Sequence, residues 1–236
     1  MNVVSLEQAA AYVQSGTRIF VQGAAMTPNT LINAICRRHE ELRDVEIISI
    51  HTDGEVLFAQ EPYRKAFRIN TCFVGGNVRK AVNTNQGDYI PIFLSEIHLL
   101  FRRDILPVDV AVVQVSPPDK HGFCSLGASV DVTLPAVQKA KKVIAQLNPM
   151  VPRTHGDGII HIKQIDALVE VSEPIHAYPV LPISETEAQI GRNVASLVED
   201  GATLQLKGNE EIEYDGEIHT AANLYDALKE GYYGKF

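Results

Sequence analysis

Thr17-Arg18-Ile19-Phe20-Val21-Gln22-Gly23-Ala24-Ala25-Met26-Thr27-Pro28 decides the fold class of this chain. Its first half is β-branched and aromatic, its middle is small and turn-forming, and its end pairs a capping residue, Thr27, with a proline suited to the first helical position. Strand, loop and helix follow one another, with Leu31, Ile32 and Ile35 as the helix's buried face. Val45 to Ile50 is then an apolar run of the kind found in strands covered on both sides. Similar runs lie at Arg68 to Val74, Val108 to Val115, Lys142 to Leu147 and Ala167 to Val171, between helix candidates at Leu94 to Phe101 and Leu134 to Lys141. This alternation predicts an α/β domain, an open and mainly parallel sheet with helices on both faces. Such sheets bind ligands where loops leave the carboxyl ends of strands, which singles out the loops starting at Gly23, His51, Gly75 and Ser116.

Outward from this unit, Ser5 with Gln8 forms a capping box that opens a short first helix, stopped by Gly16. A second capping box, Ser184 with Glu187, predicts a helix whose face carries Ile190, Val194, Leu197 and Val198. Beyond it, Gly201-Ala202-Thr203-Leu204-Gln205-Leu206-Lys207-Gly208 aligns with Gly16-Thr17-Arg18-Ile19-Phe20-Val21-Gln22-Gly23, and Ile218-His219-Thr220 echoes Ile50-His51-Thr52. The match reads as an internal repeat or as a chance likeness of two helix-to-strand joints. As a repeat, its second copy lacks a stretch the size of the Pro28 to Glu41 helix. The expected organisation is a complete domain over residues 1–183 and the opening of a second, similar one over 184–236, truncated and divergent after Leu206.

Composition removes several functions. The 236 residues carry a net charge of -8, which disfavours a sequence-independent grip on nucleic acid. With no Trp and eight each of Tyr and Phe, a base-stacking platform has little to build on. No apolar run approaches the ~20 residues of a membrane span, and the N-terminus has no export pattern. Three widely spaced cysteines, Cys36, Cys72 and Cys124, suit buried thiols in a reducing cytoplasm.

The loops themselves are chemically mixed. Gly75-Gly76-Asn77-Val78-Arg79 reads equally as an anion cradle of open backbone amides with a cation nearby or as an ordinary glycine turn. It carries neither a Rossmann nor a Walker fingerprint. The Ser116-Pro117-Pro118-Asp119 to Gly127 segment reads slightly better as a shaped structural loop than as a functional one. His155, Asp157 and His161 lack the spacing of a metal site, and Ser125 lacks a nucleophile elbow. A lone His51 or His98 beside apolar residues is a core or edge group more often than a base.

Together, Val21-Gln22-Gly23-Ala24-Ala25 with Pro28, Gly75 to Arg79, Asp88-Tyr89-Ile90-Pro91 with Leu94-Ser95-Glu96, Ser116 to Gly127, and Pro152-Arg153-Thr154-His155-Gly156 resemble the acetyl-CoA hydrolase/transferase family from Met1 to about Leu206. The resemblance implies a class I CoA-transferase-like fold and transfer of CoA between an acyl-CoA and a short-chain carboxylate such as acetate, butyrate or 4-hydroxybutyrate. It implies no bound cofactor, with the coenzyme A thioester as substrate. It also implies two facing domains, a glutamate of the second attacking the thioester to start a ping-pong transfer. Here Ala221 stands at the glutamate's position, and Leu206-Lys207-Gly208-Asn209 replaces a Gly-Ile-Gly run. The resemblance therefore places Gln22, Gly23, Ala24, Gly75, Gly76 and Asn77 along the acyl and carboxylate pocket, with Arg79 and Lys80 set to meet an anion or to pair on the surface. It assigns no nucleophile. The expectation is a transferase incomplete as a single chain, homo-oligomeric or completed by a partner, and the alternative is a noncatalytic domain that binds CoA thioesters or a partner.

Overall fold

A computed structural model of the chain describes residues 2–177 and 182–199, with two short strands at 212–214 and 217–219. It falls into two compact units, Met1–Ala177 and Tyr178–Phe236.

In the first unit, α1 (Leu6–Ala10) precedes β1 (Arg18–Val21), α2 (Asn29–Arg37), β2 (Val45–Ser49), β3 (Phe67–Thr71), α3 (Gly76–Asn83) and β4 (Gly87–Tyr89). There follow α4 (Ile97–Arg102), β5 (Val110–Val115), β6 (Phe123–Ser125), α5 (Thr133–Lys139), β7 (Lys142–Leu147), β8 (Ile159–His161) and β9 (Ala167–Glu170). Seven strands make one sheet in the order β4-β3-β2-β1-β5-β7-β9, and every neighbouring pair is parallel. β6 and β8 pair separately as an antiparallel ribbon.

The strands alternate sides, as period-two chains must. Ile19, Val21, Ile47, Ile69 and Val112 join the buried faces of α1, α2 and α3 in one core, while Phe20, Ile48, Ala111 and Val113 join α4 and α5 in the other. Each of the two cores covers one face, which is why β5 is buried at every position. Phe20 meets Phe101 of α4 edge to face at 5.5 Å, a geometry worth ~1 kcal/mol beyond area burial. Ser5 and Gln8 complete the anticipated capping box at α1.

Three expectations change. Thr27 does not cap α2, because its hydroxyl donates to the Ala24 carbonyl at 2.8 Å and accepts the Asp53 amide at 3.0 Å; Pro28 holds the cap position without a side-chain bond. The Arg68–Val74 run ends as a strand at Thr71, and the glycine pair that follows starts a helix, α3, instead of an open turn. In the second unit, α6 (Glu185–Ala195) begins with the Ser184–Glu187 capping box, but its buried row is Glu187, Gly191 and Ala195. Ile190, Val194 and Leu197 remain exposed, since the i, i+4, i+8 row of Glu187, Gly191 and Ala195, not the branched one, turns inward. The two remaining strands, β10 (Ile212–Tyr214) and β11 (Glu217–His219), pair antiparallel. The repeat at Gly201–Gly208 and Ala221 lie outside the described residues.

Candidate active site

Strand order reverses across β1, whose neighbours β2 and β5 run outward in opposite senses along the sheet. Loops leaving β1 and its neighbours splay apart at such a switch point and open a crevice beyond the carboxyl ends. Gln22, Gly23 and Ala24 carry the chain out of β1 at this point. Gln22 is fully buried, with Nε2 donating to the carbonyls of Leu126 (2.8 Å) and Ser129 (2.9 Å) and Oε1 accepting the Gln114 amide (2.8 Å). Both donors of its amide are consumed, so this side chain has no N–H left for a ligand. At Gly23 a Cβ would lie 2.3 Å from the His51 carbonyl oxygen, so only glycine lets the β1 and β2 loops approach this closely. Ala24 follows at φ 49°, and its amide donates to the same carbonyl at 3.2 Å. A non-glycine residue in the left-handed region is a local cost that the surrounding bonds hold in place.

The far wall is the N-terminus of α3. Among the described residues, the amides of Gly76 and Asn77 meet no acceptor, as expected of first-turn donors. Asn77 Nδ2 donates to the Thr52 carbonyl at 2.5 Å, tying α3 to the β2 loop, while its Oδ1 is buried without a partner. Nothing lies within 4 Å of the place where a Cβ of Gly76 would stand, so the wall is open there. Arg79 is exposed on α3 and forms no ion pair among the described residues.

Two residues join this crevice that the sequence did not single out for a role. His51 at the end of β2 packs its Cβ 3.8 Å from the Cβ position of Gly75 and meets the exposed Phe73 ring edge to face at 6.1 Å. Asp131, in the loop before α5, brings Oδ2 to 3.6 Å from the Cβ position of Gly23 and also adopts positive φ, at 45°. Enough protein surrounds Asp131 to push its carboxyl above the ordinary range by desolvation, with His51 pulling it back, although the side chain still reaches solvent. The signal available in advance was an acid four residues beyond the Leu126-Gly127 turn that Gln22 anchors; only the fold reveals that it returns to β1. Cys72 also borders the β3 loop, but burial pushes its thiol up to about 11, which keeps it protonated at neutral pH.

The two long loops after β5 and β7 brace the crevice. Asp119 accepts the His121 and Phe123 amides at 2.9 Å each and pairs with Arg153 at 2.8 Å; the Phe123 amide leads in holding its carboxyl below the usual range. Ser125 is fully buried and its Oγ takes the Gly127 and Thr154 amides, so it is fastened to the scaffold. His161 accepts the Lys163 amide and stacks edge to face on Phe123. Among the described residues no three potential ligands gather as a metal group, and no helix is long and apolar enough to cross a membrane.

Residues 1–182 match the family model of the acetyl-CoA hydrolase/transferase N-terminal domain. This chain belongs to the acetyl-CoA hydrolase/transferase family. It is 45% identical over 197 residues to a succinyl-CoA:acetate/propanoyl-CoA:succinate CoA transferase of Fasciola hepatica, covering 82% of this chain and 41% of that protein. It is 42% identical over 204 residues to a 4-hydroxybutyrate coenzyme A transferase of Clostridium kluyveri, covering 86% and 48%. The crystal structure of a 4-hydroxybutyrate CoA-transferase from Porphyromonas gingivalis superposes with a TM-score of 0.77 at 31% identity, covering 99% of this chain and 51% of that one. The chain thus spans about half the length of the curated relatives it matches.

Proposed function

We propose that this chain provides the first-domain wall of a CoA-transferase active site, which moves coenzyme A between an acyl-CoA and a short-chain carboxylate. The observation that carries this reading is that the Gly23 and Gly75 loops both pack on His51 at the strand-order switch, in a chain of this family. Free amides at Gly76 and Asn77, at the positive end of an eight-residue helix, suit a carboxylate or the oxyanion of an attacked thioester. Gly23 and Ala24 give the substrate a close backbone surface, and Arg79 offers a cation to a carboxylate or a CoA phosphate. The acyl-CoA is substrate, with no further cofactor needed.

The nucleophile comes from outside this chain in our reading. Ala221 stands where the family glutamate falls, and a methyl group cannot attack a thioester. Another polypeptide that carries the glutamate then completes the site.

The test is a titration of the isotope-labelled chain with acetate and butyrate, followed by nuclear magnetic resonance. The amides of Gly23, Gly75, Gly76 and Asn77 are expected to move together and saturate. Shifts confined to other surfaces would remove the crevice as the carboxylate site.

A further inference from the structure

We propose that Asp131 sets the charge specificity of the crevice, its carboxylate taking a hydrogen-bond donor at the far end of a short carboxylic acid and turning away a second carboxylate. The proposal rests on the reading above, in which the α3 amides hold the reacting carboxylate.

A site that receives anions has an unpaired anion beside it. Among the described residues, Asp131 accepts no hydrogen bond and joins no salt bridge; eight other acids of the unit, Glu46 and Asp109 for example, sit on cations. Its one charge neighbour is His51, whose imidazole has no hydrogen-bond partner among the described residues either. Asp131 faces the notch left by Gly23, its Oδ2 3.6 Å from the missing Cβ, and the His51 backbone carbonyl closes the same notch. The Gly75 end of the α3 wall lies on the other side of His51, within 3.8 Å of its Cβ. A bound acid held by the α3 amides and lying past His51 brings its far end to Asp131.

Chemistry at that end then decides affinity. A hydroxyl donates to the carboxylate, a charge-assisted bond of the stronger kind. A methyl is tolerated. A second carboxylate meets like charge, and solvent at the open side trims the penalty to ~10-fold in binding. The favoured class is therefore a monocarboxylate with a neutral or hydroxyl-bearing tail.

The experiment compares 4-hydroxybutyrate, butyrate and succinate in the same amide-shift titration at about pH 8, where carboxylates are ionised. With the native chain, 4-hydroxybutyrate is expected to bind ~10-fold more tightly than succinate, and Asp131→Asn is expected to bring the ratio to within ~3-fold. Asn tolerates positive φ better than most residues, so this variant keeps the loop; Asp131→Gly tests the same point without any side chain. Acids that saturate the Gly75 and Gly76 shifts with the same ratio in native and variant chains would overturn the role of Asp131 and leave the site standing. No saturable shift with any acid would overturn both.

Discussion

Two adjacent residues, Gly23 and Ala24, show how the crevice is held open and what each costs. Gly23→Ala places a methyl group 2.3 Å from the His51 carbonyl oxygen, and backbone cannot rotate out of the way as a side chain could. Overpacking of this kind is expected to cost ~1–3 kcal/mol, read as a lower urea midpoint at unchanged slope, with loss of acetate-induced shifts at Gly75. Ala24→Gly works the other way. It removes a left-handed cost of ~1 kcal/mol while adding unfolded-state entropy of similar size, so stability should stay within ~1 kcal/mol of the native chain. Equal losses in both variants would show that steric approach at Gly23 is not what shapes the loop. The glycines and Ala24 were legible as a loop from their order after a β-rich run. His51 was legible only as the start of a candidate loop and Asp131 not at all, because their meeting depends on the paths of two loops that begin on different strands.

α2 shows why local capping signals misplace a helix's support. Thr27-Pro28 has the form of a cap followed by a first residue, yet the Thr27 hydroxyl is already spent inside the loop. The helix start is held from across the sheet. Gln146 Oε1 on β7 accepts the Leu31 amide at 3.3 Å, and Glu173 accepts the Thr30 hydroxyl at 2.8 Å and the Gln146 amide at 2.5 Å. Glu173 thereby brings negative charge to the positive end of α2. The strap that carries it, ending at His176 against Asn29, walls a groove of about 190 Å3 beside Thr27 and Gln114. Glu173→Ala strands two donors and removes that charge, and is expected to cost ~1–2 kcal/mol with hydrogen-exchange protection falling first in α2. Glu173→Gln, which keeps an acceptor, should lose about half as much. Uniform loss of protection across the sheet, α2 no more than β5, would count against a helix-specific role. The missed α3 has a related cause: two glycines and an asparagine look like a turn, and only Val78 and Ala81 turn inward to make it a helix.

At the scale of the whole molecule, alternation along the chain predicted a parallel sheet with two covered faces, and the two cores on either side of β1 answer to it. Strand order lies beyond such reading, since any parallel order uses the same buried runs, and with it goes the switch point that gathers Gly23, His51, Gly75 and Asp131. What gathers there is one wall. The proposed acyl transfer through a covalent intermediate needs, besides donors for the developing charge, a nucleophile within ~3–3.5 Å of the thioester carbon. The described residues of the first unit offer buried thiols raised to about 11 and 12, a fastened Ser125, and Asp131 on the charge-sensing side of the notch. The chain alone, mixed with acetyl-CoA and isotope-labelled acetate, is therefore expected to exchange no label above the background without protein and to show no CoA adduct on any glutamate by mass spectrometry. Adding a polypeptide of the same family that carries the glutamate should start exchange, and Gly23→Ala in this chain should suppress it. Exchange by the chain alone, with an adduct on one of its own carboxylates, would place the nucleophile inside this polypeptide and make the crevice a complete active site.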